Sequence, residues 1–105
     1  MSTSISSIEG KIARTRRALA ALGPMRPGTL NRQYKNPAEK QGAYWQISYT
    51  HQMRSRSEYV RPEHLKAIRA ELANFRKFRL LTERWIELSL ELSKAKRKPP
   101  SRDKV

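Results

Sequence analysis

At 105 residues, with 23 Lys and Arg against 9 Asp and Glu and a net charge of +14, the chain has room for one domain with a modest core. The absence of cysteine excludes disulfides and thiolate metal sites and suits a reducing compartment. No apolar run approaches the roughly 20 residues that span a bilayer, and the N-terminal residues lack the basic-then-apolar order of a secretory signal, so a soluble cytoplasmic protein is expected.

Taken in order, Ile5, Ile8, Ile12, Thr15, Leu19 and Leu22 follow the alternating three- and four-residue spacing of a helical seam and predict a helix over residues 6–22. Ser6 and Glu9 stand at capping-box spacing for its first turn, and Gly23-Pro24 would end it, with the glycine in the left-handed conformation. Lys11, Arg14, Arg16 and Arg17 fall off the seam, as a solvated face or as phosphate contacts. Pro27-Gly28 signals a turn, residues 29–34 a short strand, and Asn36-Pro37 a second turn within a mobile loop over 36–41.

Residues 42–60 read as a β-hairpin, because both arms are rich in Tyr, Trp, Ile, Thr and Val and their hydrophobic period is near two. A turn centred near Gln52 puts Trp45, Ile47, Tyr49 and His51 on one face with Arg54, Arg56, Glu58 and Val60. The other face carries Tyr44, Gln46, Ser48 and Thr50 with Ser55, Ser57 and Tyr59. The first face suits burial under a helix. The second is polar and looks outward, either as a solvated sheet or as a ribbon for the DNA major groove, where Gln, Ser and Thr can read base edges.

Pro62 at a first helical position, followed by Glu63, opens a second helix over residues 62–93, roughly 50 Å long against roughly 25 Å for the first. Its stripe Leu65, Ile68, Leu72 and Phe75 would cover Trp45, Ile47 and Tyr49; Phe78, Leu81, Trp85, Leu88 and Leu92 would meet the first helix running antiparallel. Ile86 and Leu90 fall outside both stripes and would either complete a wide core face or, the favoured use, form a dimer contact. Glu83, Glu87 and Glu91 form an acidic row expected to pair with Lys11, Arg14 or Arg17. Residues 94–105 have no apolar periodicity and are expected to be a disordered basic tail.

The charge is uneven: net +3 over residues 1–24, +5 over 25–61, +1 over 62–93 and +5 over 94–105. Clustered Lys and Arg are the electrostatic footprint of polyanion binding, and nucleic acid fits better than a membrane surface, which would want a broad apolar helix face. Catalysis is not expected. His51 and His64 have no zinc-ligand spacing, the one aspartate is Asp103, and the four glycines are too scattered for a phosphate loop.

The segments 22–30 (LGPMRPGTL), 42–50 (GAYWQISYT), 55–60 (SRSEYV) and 74–78 (NFRKF) resemble a family of small bacterial proteins of unknown function, DUF6788, across about residues 19–92. The resemblance implies a connection with mobile elements or transposases. Relatives often carry cysteines between the two glycine-containing segments, where this chain has none, so no metal knuckle is implied here. Relatives also often have an Asn-Gly-type turn where this chain has Gln52-Met53.

The expected fold is α+β in the order α-β-β-β-α: an N-terminal helix, a small three-stranded antiparallel sheet (residues 29–60), a long C-terminal helix and the basic tail. Such a helix-backed sheet resembles the DNA-binding domains of some integrases, by fold analogy alone. The expected function is a DNA-binding accessory protein without cofactor, metal or catalytic residues. Arg26, Arg32, Lys35, Arg54 and Arg56 would contact phosphates, and Gln46, Ser48, Thr50 and Ser57 would face bases. Two alternatives stay open. One is an interaction subunit or homodimer in which the helix pair docks a second copy or a transposase or recombinase; the other is an RNA binder with Trp45 and Tyr49 as stacking platforms.

Overall fold

The structure, a computed structural model, describes residues 4–98. Its elements follow the order α1 (Ile5–Ala20), β1 (Thr29–Asn36), β2 (Gln41–His51), β3 (Arg54–Val60), a 3-10 turn (Pro62–His64) and α2 (Leu65–Lys96). The described chain divides into two compact units, residues 23–77 and residues 4–22 with 78–98, and α2 contributes to both.

The first of these units is the sheet with the leading part of α2. Three antiparallel strands lie in the order β1-β2-β3. Pairing of Ile47 with Leu30 on one side and Glu58 on the other, and of Trp45 with Arg32 and Val60, fixes the register. Because side chains alternate across a pleated strand, Leu30, Trp45, Ile47, Tyr49 and Val60 share the inner face. Ile47, Val60 and Leu72 are buried, with Leu30, Trp45, Leu65 and Ile68 packed around them, so Leu65, Ile68 and Leu72 of the expected helix stripe pack with Trp45 and Ile47 of the sheet. Ile47 is wholly buried, and complete burial of such a side chain contributes about 1.5–3 kcal/mol.

The segment before β1 is tied to the same helix. The Arg26 backbone N–H donates to the Glu71 carbonyl at 3.3 Å, and Asn74 Nδ2 donates to the Pro24 carbonyl at 2.9 Å. Gly28 then turns the chain into β1 with φ +140°.

The other unit pairs α1 with the distal part of α2. Ile8, Thr15 and Leu88 are its buried residues. Thr15 satisfies its hydroxyl by donating to the Lys11 carbonyl at 2.9 Å, which is how a polar side chain occupies a seam position. The Arg16 guanidinium lies 5.7 Å from the Trp85 ring centroid.

Several local expectations are corrected. Ser4, not Ser6, caps α1, accepting from the Ser7 N–H at 3.1 Å; Ser6 sits inside the first turn. The helix ends at Ala21 in an ordinary right-handed conformation, and Gly23 is not among the positive-φ glycines, because Ala21 and Leu22 donate back to Arg17 and Leu19 and close the last turn themselves. Residues 36 and 41 belong to strands, leaving a four-residue turn at 37–40 closed by Lys40 N–H to the Pro37 carbonyl at 3.3 Å. Pro62 opens a 3-10 turn ahead of α2 instead of α2 itself. Helix α2 continues to Lys96, past the expected end at 93. Residues 99–105 of the expected basic tail lie outside the described residues. Among the described residues, no ion pair joins Glu83, Glu87 or Glu91 to Lys11, Arg14 or Arg17; Arg16 turns to Trp85 instead.

Candidate nucleic-acid interface

The outer face of the sheet is assembled by strand parity. Registers of β1 and β3 on β2 set Thr29, Ser48 and Ser57 in one row across the sheet and Asn31, Gln46 and Tyr59 in the next; Thr50 stands beside Ser55. Gln33 pairs with Tyr44, and Lys35 lies beyond it on the same face. Four of the residues expected to face bases, Gln46, Ser48, Thr50 and Ser57, are therefore brought onto one surface. Thr29, Asn31 and Gln33 join them, which the hairpin alone does not reveal. Their signal was the polar alternation of residues 29–35, unreadable until the turn at 37–40 set the β1 register.

Cross-strand hydrogen bonds order this surface. Ser48 Oγ and Ser57 Oγ lie 3.2 Å apart, and Thr50 Oγ1 and Ser55 Oγ lie 3.1 Å apart. A hydroxyl has one donor and two acceptor sites, so each pair keeps capacity for a further partner. No acidic side chain stands on the outer face, and Lys35 is its one formal charge. Asn and Gln amides can bond an adenine edge with two hydrogen bonds, and Ser and Thr hydroxyls can bond any base.

The expected phosphate contacts divide. Arg54 and Arg56 are exposed on the inner face beside the β2–β3 turn, opposite His51 and Tyr49. They leave the Tyr49 ring to Arg26, whose guanidinium lies 4.8 Å from its centroid. Arg26 also faces Glu58 at 3.6 Å, and Tyr49 donates its hydroxyl to Glu58 at 3.0 Å. Arg26 is thus committed to an internal cluster that ties the segment before β1 to β2 and β3. Arg32 shares the inner face with Tyr34, 5.8 Å from that ring. Lys35, on the outer face, and Lys40 stand by the β1–β2 turn together with Glu39, and Arg54 and Arg56 stand at the other end of β2 on the inner face.

Trp45 and Tyr49 do not present free rings, since Arg69 lies 5.0 Å from the Trp45 centroid and Arg26 covers Tyr49. Among the described residues, no group of three or more His, Cys, Asp or Glu could hold a metal ion, and no helix is long and apolar enough to cross a membrane.

The family model described as "Domain of unknown function (DUF6788)" matches residues 5–70. The chain belongs to the DUF6788 family. The match takes in α1, the whole sheet and the start of α2, and with them every residue of the outer face; the segment 74–78, which also resembles the family, lies beyond it. No curated protein and no solved structure matches the chain.

Proposed function

We propose that this DUF6788 protein is a non-enzymatic, cytoplasmic DNA-binding accessory protein that lays the outer face of its sheet against duplex DNA. The observation that carries the reading is a solvent-facing, acid-free face of amides and hydroxyls with Lys35 on it, while Arg54 and Arg56, at the tip end of the inner face, would reach phosphates past the edge of the sheet. A sheet surface of this kind fits the major groove, with amides and hydroxyls toward base edges and cations toward phosphates. The sheet unit, residues 23–77, holds 11 basic and 4 acidic side chains, which favours encounter with a polyanion. The resemblance to proteins near transposase genes adds a bacterial mobile element as the expected setting.

Titration of labelled duplex DNA at several salt concentrations tests the reading. Affinity should fall with a log-log slope of about −0.9 per neutralised phosphate, and Arg54→Ala/Arg56→Ala should flatten that slope by about two. A chain ending at Ser93, which removes the whole basic tail, should keep most of the wild-type affinity. If only that truncation loses binding, the basic tail and not the sheet is the DNA contact.

A second reading has its own observation. Ile86 and Leu90 are 54% and 64% exposed and, with Trp85, line an apolar hollow on α2. Self-association there would respond little to salt and would be lost in Ile86→Lys/Leu90→Lys, as sedimentation would detect.

A further inference from the structure

Toward the β1–β2 turn, the lattice of amides and hydroxyls on the outer face gives way to two tyrosines. Tyr44 and Tyr59 lie on adjacent strands with ring centroids 6.3 Å apart and planes tilted by 47°. Together with Lys35, Gly42 and Ala43 they line an open hollow of about 520 Å³. Cross-strand pairing explains why the rings touch. It does not explain two aromatic rings on the solvent side of the sheet, with Tyr59 left 60% exposed.

The floor of the hollow depends on a glycine. Gly42 has φ +69°, and a Cβ there would stand 3.0 Å from Lys35 Cβ. A side chain at that position would therefore crowd the stem of the lysine. The hollow offers ring faces and one ammonium group, with no carboxylate among its lining residues. That combination suits a planar aromatic group linked to an anion. A nucleobase with its phosphate is such a group, but only an unstacked base has a face to offer, since bases within a duplex are covered by their neighbours. The inner-face aromatics cannot serve, because Arg69 and Arg26 already lie over Trp45 and Tyr49.

We infer that Tyr44, Tyr59 and Lys35 form a one-nucleotide subsite for an unpaired DNA base adjoining the duplex held on the rest of the outer face. The inference rests on the reading of that face as the duplex contact. The target is then a duplex with a single-stranded extension instead of an uninterrupted helix. The base stacks on the tyrosine rings, and Lys35 meets its phosphate.

Fluorescence anisotropy tests this with a blunt duplex, the same duplex carrying a short single-stranded extension, and the extended form with a fluorescent adenine analogue at the first unpaired position. Wild type should prefer the extended probe by roughly 5- to 150-fold, the range expected for stacking one base on aromatic side chains, and should quench the analogue. Tyr44→Ala/Tyr59→Ala should abolish the preference and the quenching while keeping the affinity for the blunt duplex. Tyr44→Phe/Tyr59→Phe should keep all three. Equal wild-type affinity for blunt and extended probes overturns the subsite alone, and this comparison needs no variant to fold. Failure of wild type to bind either probe overturns the outer-face reading and the subsite with it.

Discussion

At Gly28 the backbone turns with φ +140°, and a Cβ would come within 3.0 Å of Ile47 Cγ1 and 3.2 Å of the Ser48 carbonyl. Both the dihedral and the space require glycine there. Gly28→Ala should cost about 1–3 kcal/mol, seen as a lower urea midpoint with an unchanged slope. Pro27-Gly28 was legible as a turn, but its closeness to Ile47 was not, because that contact joins residues nearly twenty positions apart. Arg26 teaches the same lesson about charge. Counted along the chain it is a cation available to phosphate; folded, it lies over Tyr49 and beside Glu58. Glu58 looked like a lone acid on an arm rich in arginine, and nothing local announced its partner.

Among the elements, the hairpin was the most legible, since a period of two divides the faces even when the turn is uncertain by one residue. The observed turn is the tight one. Gln52 and Met53 both have positive φ, 52° and 64°, and two such central residues mark a type I′ turn matched to strand twist. Neither residue is suited to that conformation, so the pairing of the flanking strands holds the turn in place. Gln52→Asn/Met53→Gly should relieve the strain and stabilise the fold by roughly 1–2 kcal/mol, measured by thermal or urea unfolding. Helix ends were less legible. Ser4, Ser6 and Ser7 offer competing hydroxyls, and a capping spacing cannot tell which one meets a free N–H. Burial of the first stripe of α2 on the sheet was readable from its spacing. The glutamate row was misread because exposed pairs on long side chains gain little and need not form.

Across the whole molecule, the proposed DNA binding draws on both charge and face composition. Residues 23–77 carry +7 of the net charge of +14 and the rest of the sequence the other +7, so positive charge is spread along the chain, whereas the acid-free amide and hydroxyl surface belongs to the sheet alone. General attraction would survive many single changes; recognition by the sheet would not survive negative charge placed upon it. Thr50 and Ser57 are both exposed on that surface, and neither supports the core. The decisive measurement is therefore the affinity of Thr50→Glu/Ser57→Glu for duplex DNA, with circular dichroism and the unfolding midpoint confirming an intact fold. The expected result is a loss of roughly ten-fold or more, since like charges meet phosphates where hydroxyls met bases. Unchanged affinity in the folded variant would contradict the assignment of the outer face as the DNA-binding surface.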